Sequence, residues 1–266
     1  MGDMIKSTKR TLRNFLPSGI RTHRIWSGLL RGEKIVTSWH DYPAAILGYT
    51  ERPLLDWFLQ NVKPGQTWLD IGAHYGYTAI ALSRLVGIEG RVFAFEPVLS
   101  TAGYIAQTRR LNNFSQLTVV PYGLAAPETL EMTSLPVTRG MADSTIERKT
   151  KDEGRALFSE MIMVARFDWL WPRICDTDNR IDGLKIDVQG MEIEVLAGMI
   201  ETLRSHRPKL VVEFHRGADR ERLLHTIESA GYARQATPIE PIDGEISPLY
   251  IDDHSYFFHK QNESGT

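Results

Sequence analysis

From residue 52 to the end of the chain, apolar runs of strand length alternate with longer segments that place apolar residues every three or four positions. This alternation constrains the fold most, because strand, helix and strand in succession close a right-handed βαβ unit, and such units build a parallel sheet. "RPLLDWFLQNV" puts Leu54, Leu55, Phe58 and Leu59 on one helical face and stops at "KPG". "TWLDIG" predicts the first strand, a helix runs from near Tyr77 to Gly87, and "RVFAFEP" predicts the second strand. Ser100 is placed to cap a helix covering Tyr104, Ile105 and Leu111, and "LTVVPYGLA" returns as the third strand. Residues 127–165 break the period and read as an inserted hairpin or loop of the kind that covers a site. Alternation resumes with strand "DGLKIDV", helix "MEIEVLAGMIETLRSH", strand "PKLVVEF", helix "DRERLLHTIESAGY" and a closing edge strand at "SYFFH".

With 266 residues, 42% of them hydrophobic, the chain can bury one α/β core. The expected division is a basic leader and cap over residues 1–50 and a single catalytic domain over 51–266. Cys175 is the only cysteine, which excludes a disulfide framework and a thiol metal cluster and points to a reducing, cytoplasmic setting. No stretch approaches the roughly 18 apolar residues of a membrane span, and the start lacks the apolar region of a signal peptide. "MGDMIKS" carries Lys6 where a myristoylation signal needs Ser or Thr, so lipidation is not expected.

Charge divides the chain unevenly. The first 34 residues hold eight Lys and Arg against Asp3 and Glu33, a net of +6 that leaves −8 for the rest of a chain totalling −2. The body therefore has no electrostatic footprint for nucleic acid. In the leader, Ile5, Leu12, Phe15 and Leu16 recur at nearly helical spacing; the segment reads as a solvated arm or a cap on the core or, alternatively, a weak membrane-surface contact.

The strand-to-helix junction "TWLDIGAHYGYTAIAL" carries Asp70 at the strand end, Gly72 in the turn and Gly76 at the helix start. A dinucleotide fingerprint needs G-x-G-x-x-G, whereas Ala73, His74 and Tyr75 separate the two glycines here. The turn suits a ligand without phosphates but with a cationic amino-acid portion, which Asp70 can attract; S-adenosylmethionine is such a ligand. Glu96 in "AFEP" ends the next strand, where a carboxylate can accept both ribose hydroxyls.

"DIGAHYGYTA", "AFEP", "DGLKIDVQGMEIEVLAG" and "PKLVVEFH" together resemble the FkbM family of S-adenosylmethionine-dependent methyltransferases over about Gly48 to His259. The resemblance implies an α/β, Rossmann-like class I methyltransferase fold: a mostly parallel seven-stranded sheet with a reversed last strand and helices on both faces. It also implies O-methylation of a sugar or natural-product hydroxyl, hence a small-molecule or glycan acceptor. By position it assigns Asp70, Gly72, Ala73, His74 and Gly76 to the methionyl turn and Glu96 to the ribose. His74 stands where the wider glycine-rich motif often has glycine, and Gln189 where the family often has Glu.

In "LKIDVQGME", Lys185 and Asp187 fall on one face of a strand. Lys185 is expected to pair with Glu213 on the next strand, with direct catalysis as the other reading. Asp187 at the strand's carboxyl end and His215 at the end of the following strand are the leading candidates to deprotonate the acceptor. Glu192 in the first turn of the next helix is explained by the helix dipole. His206, His215 and His225 have no metal-ligand spacing, so no metal is expected. Two other functions remain open: a nicotinamide-dependent oxidoreductase on a similar sheet, and a non-catalytic partner of a glycosyltransferase that keeps the fold.

Overall fold

The computed structural model describes residues 16–137, 158–175, 180–240 and 250–261. In chain order, the leader forms β1 (Arg21–Arg24), β2 (Lys34–Thr37) and α1 (Pro43–Leu47), followed by α2 (Arg52–Asn61). The alternating part begins with β3 (Thr67–Ile71), α3 (Tyr77–Val86), β4 (Arg91–Phe95), α4 (Leu99–Leu111) and β5 (Leu117–Val120). Next come β6 (Gly123–Ala125), the strands β7 (Leu130–Val137) and β8 (Phe158–Arg166) of the inserted part, and α5 (Phe167–Ile174). The remainder is β9 (Gly183–Ile186), α6 (Glu192–Gly198), α7 (Ile200–His206), β10 (Lys209–Phe214), α8 (Arg220–Ser229), β11 (Tyr232–Pro238) and β12 (His254–Lys260).

The strands that read as unbroken apolar runs occupy the middle of a seven-stranded sheet of order β11-β12-β10-β9-β3-β4-β5, because only there are both faces covered. All five of β10, β9, β3, β4 and β5 run parallel, and β12 runs antiparallel to both neighbours. Side chains alternate between two apolar layers. Leu69, Ile71, Leu184, Ile186, Leu210 and Val212 enter one core, while Trp68, Val92, Ala94 and Val211 enter the other. Asp70, Lys185 and Glu213, at the intervening positions, share the second face.

Five local expectations change in the fold. β12 is not an edge strand: Tyr256 and Phe258 are fully buried between β10 and β11. The edge is β11, which the sequence pattern hid because Arg234 and Gln235 stand where a buried strand would be apolar. "LTVVPYGLA" is two strands, β5 in the large sheet and β6 in a three-stranded sheet of order β6-β8-β7. Ser100 lies inside α4, whose N-cap is Val98. The long helix after β9 is two helices meeting at Met199.

Just before that break lies a close approach: a Cβ on Gly198 would stand 1.9 Å from the carbonyl oxygen of Ala125, so α6 packs directly on the backbone at the end of β6.

Of the leader, residues 16–50 are no solvated arm. Ile25, Leu30 and Ile35 are buried in the second core, and Asn112, the C-cap of α4, bonds both the N–H (2.8 Å) and the carbonyl (2.7 Å) of Lys34. Ile5, Leu12 and Phe15 of the expected amphipathic helix lie outside the described residues. The expected hairpin is present as β7 and β8, paired antiparallel from Leu130↔Ala165 to Val137↔Phe158.

Replacing Gly198 by Val tests the close approach of α6. Overpacking of this kind costs about 1–3 kcal/mol, and the expected outcome is a lower denaturant midpoint in equilibrium unfolding followed by circular dichroism. An unchanged midpoint would show that α6 has room to move away.

Candidate functional site

The turn after β3 is held by backbone. Gly72 has a left-handed φ of 82°, and a Cβ there would stand 1.8 Å from the carbonyl oxygen of Asp187. Glycine is therefore required less for approach to a ligand, as its place in the turn suggested, than for approach of the β3 turn to the end of β9. Ala73 is buried, and Gly76 is the left-handed N-cap of α3. His74 is also left-handed, at φ 52°, the physical reason a glycine is common at such a position. Its N–H donates to Glu96 Oε2 at 2.9 Å, while Val98 N–H donates to Oε1 at 3.1 Å. Two backbone donors thus fix the Glu96 carboxyl, each oxygen retaining a lone pair for a further donor. Burial still pushes its pKa up to about 8 despite those bonds.

Asp70 does not reach the cavity. It is fully buried, accepts from Thr78 Oγ1 at 2.6 Å and faces Lys185 Nζ at 3.5 Å. The ladder explains this partnership: Asp70 is the register partner of Lys185, and Val211 is opposite Lys185 on the other side. Lys185 therefore pairs with Asp70 and, at 3.1 Å, with Asp187, and not with Glu213 as expected. Burial opposes its charge, but Asp187 and Asp70 outweigh that and hold the ammonium firmly protonated.

Asp187 and His215, separated in sequence, meet at the ends of β9 and β10, with Asp187 Oδ1 3.3 Å from His215 Nε2. Burial would raise the Asp187 carboxyl, yet Lys185 and then His215 hold it well below the usual carboxylate range. Burial would also lower His215, but hydrogen bonds to Asp187 and Glu192 raise it to about 10, leaving an imidazolium at neutral pH.

The helix dipole alone does not account for Glu192. This residue is 1% exposed, and its Oε1 accepts from His215 Nδ1 at 2.8 Å and from Gly190 N–H at 3.0 Å. Gln189, left-handed at φ 57°, brings Nε2 within 2.9 Å of His215 Nε2. Among the described residues Glu213 makes only long contacts, to Ser255 Oγ at 3.4 Å and His215 Nε2 at 3.5 Å. Burial, then the charge of Asp187, pushes Glu213 up to about 8.

Asp187, Glu213 and His215 also bring one ligand atom each within 4.8 Å of one another, a donor set that sequence spacing did not disclose. A divalent cation there would have to displace the proton on His215.

These groups border a cavity of about 260 Å³ lined by Tyr42, Glu51, Gly72, His74, Glu96, Asp187, Gln189 and Glu213 among others. Glu51 and Tyr42 carried no signal in the sequence pattern, since both precede the first predicted strand. An apolar niche adjoins it, sharing Gly72, Pro97, Leu135 and Val188 and adding Ile71, Phe95, Leu124, Ile162 and Met191. Tyr42 from the leader and Leu135 from the insertion thus line the same space as Gly72 and Glu96. The donor set fits one kind of ligand, with a flat apolar group for the niche, vicinal hydroxyls for Glu96 and positive charge toward the remaining carboxyls. A larger cavity of about 550 Å³, lined by Arg91, Ser115, Arg173 and Cys175, sits at the amino ends of β4 and β5, the wrong end of such a sheet for a ligand.

A family model described as "Methyltransferase FkbM domain" matches residues 70–235. No curated protein matches the sequence. Among solved structures, the methyltransferase FkbM from Methylobacillus flagellatus KT is 17% identical with a TM-score of 0.47, covering 82% of this chain and 54% of that one. The chain thus spans about half the length of that protein. Precorrin-6y C5,15-methyltransferase from Geobacter metallireducens GS-15 is 17% identical at a TM-score of 0.46, covering 79% and 86%. Aeropyrum pernix fibrillarin in complex with natively bound S-adenosyl-L-methionine is 17% identical at 0.46, covering 90% and 82%.

The buried acids set a pH dependence. Glu96 and Glu213, both raised to about 8, bind more protons in the folded than in the unfolded chain between the ordinary carboxyl value, about 4.3, and about 8. Their contribution to stability is present below that ordinary value and is lost as pH rises to 8. His215, raised to about 10, extends the decline above its unfolded value. Thermal unfolding of the ligand-free protein is expected to give a midpoint that falls from pH 5 to pH 8, with a shallower fall in Glu213→Gln. A midpoint that rises over this range would contradict the assignment.

Proposed function

The chain belongs to the FkbM family of S-adenosylmethionine-dependent methyltransferases, and from that premise we propose that it methylates a hydroxyl of a glycan, glycolipid or secondary metabolite. The observation that supports this reading is the joint geometry of Gly72, His74 and Glu96 beside an apolar niche, in one cavity with Asp187 and Glu213. The cofactor supplies an electrophilic methyl group on a sulfonium, a good leaving group. Glu96 would hold the ribose hydroxyls, the niche around Ile71, Phe95 and Leu124 would take the adenine, and the turn at Gly72 would pass the methionyl portion. Asp70 and Ala73 act from beneath, setting the turn and Lys185.

The acceptor hydroxyl must lose its proton as its oxygen attacks. Asp187 and His215 lead the sequence-based candidates for that step, but both Asp187 oxygens are engaged, by Lys185 and by His215, and both ring nitrogens of His215 face carboxylates. Glu213 keeps lone pairs toward the cavity, and a carboxyl raised to about 8 is matched to proton abstraction near neutral pH. We assign the proton to Glu213, with Asp187 and His215 orienting the acceptor. A body of net charge −8 favours a small-molecule or glycan acceptor over nucleic acid.

Titration calorimetry with S-adenosylmethionine tests the cofactor half. Glu96→Ala leaves two hydroxyls unmatched, a cost of about 2 kcal/mol or roughly thirtyfold in affinity, whereas binding of a nicotinamide dinucleotide instead would overturn the reading. On an acceptor that the wild type methylates, Glu213→Gln should lower turnover at saturating cofactor by about 10²- to 10⁴-fold. Wild-type turnover in that variant would return the proton to Asp187 or His215.

A further inference from the structure

The cavity carries a charge imbalance that hydroxyl methylation alone does not require. Glu51, Asp70, Glu96, Asp187, Glu192 and Glu213 line or underlie it, and among the described residues the cationic partners of this group are Lys185 and His215. Both are committed: Lys185 lies between Asp70 and Asp187, and His215 between Asp187 and Glu192.

Glu51 is left over. It precedes α2 in the N-cap position, where a carboxylate ordinarily bonds the first free N–H groups, but its side chain makes no such bond. Its φ of 53° is left-handed, a conformation that is strained for a residue with a Cβ and that persists only where its surroundings impose it. Among the described residues its carboxyl has no hydrogen bond or ion pair, and it faces the cavity beside Gly72, Asp187 and Glu213. Glu213, with only its two long contacts, is the second under-used carboxyl of that wall. Glu51 and Glu213 also border a smaller cavity of about 180 Å³ on the side of Ile239 and Ser255, so they stand between the two spaces. Burial pushes both carboxyls up, and Lys185 opposes the shift in each.

We propose that Glu51, together with Glu213, reads the positive charge of the methyl donor's sulfonium, so that the site holds the charged donor and releases its neutral thioether product. This rests on the cofactor reading above. Donor and product share the adenosine and the amino-acid portion and differ by one methyl group and one charge. A residue that touches the shared parts weakens both ligands alike, and only one that senses the charge separates them.

Calorimetry with three probes makes that separation: S-adenosylmethionine, S-adenosylhomocysteine, and sinefungin, which carries an ammonium where the donor carries the methylsulfonium. The wild type is expected to prefer both cations to the neutral thioether. Glu51→Gln and Glu213→Gln should each lose about tenfold for the two cations and less than about twofold for the thioether. Equal losses for all three, unchanged affinities, or a wild type that binds the thioether as tightly as the donor would overturn the proposal. Circular dichroism checks that each variant is folded, and if Glu51→Gln is not, the wild-type preference and Glu213→Gln decide the matter. A wild type that binds none of the probes would overturn the cofactor reading itself, and this proposal with it.

Discussion

The ammonium of Lys185, buried between Asp70 and Asp187, is the interaction on which the rest of the site depends. It sits at mid-sheet, where an unpaired charge would cost several kcal/mol, so its neighbours on both sides must be acids or the strand could not be there. The register delivers them: β3 sets Asp70 beside it, and the end of β9 folds Asp187 back onto it. Removing one member of such a lattice exposes the full desolvation penalty of the others, commonly about 3–5 kcal/mol. Its value lies in specifying arrangement, because a one-residue slip of β3 would turn Asp70 to the opposite face of the sheet.

From that pair the electrostatics of the cavity follow. Asp187, already compensated, is a poor base, yet it is a fixed negative point against which His215 is held protonated. Glu192 completes the clamp from the far side of the ring. The residue with the most conventional credentials for proton abstraction, a strand-end histidine, is thereby converted into a stationary cation. The less conspicuous Glu213, left with weak partners, is the carboxyl whose hold on a proton burial strengthens.

Steric contact couples the cofactor turn to this lattice. Gly72 admits the Asp187 carbonyl at a distance no Cβ would allow, so the turn that would hold the donor packs directly on the end of β9. Around it, the leader supplies Tyr42 and the inserted hairpin supplies Leu135, which narrow the cavity from two directions.

The sequence by itself determined the core order of strands and helices, because periodicity of apolar residues reports which faces are buried. It also disclosed the family, through short motifs in which backbone conformation and chemistry coincide: the glycines of the β3 turn, Glu96 ending its strand, and "DGLKIDVQG". It could not disclose β11, whose polar residues suit a half-exposed edge, or α5, whose apolar pattern is interrupted by Pro172. Nor could it assign partners. Whether Lys185 faces Asp70 or Glu213 depends on strand register, which is a property of pairs of strands and is written in neither one alone. The roles of Glu51, Glu192 and Glu213 likewise arose only when segments distant in the chain were brought together, because a carboxyl's charge state is decided by its burial and its neighbours, and tertiary structure alone supplies both.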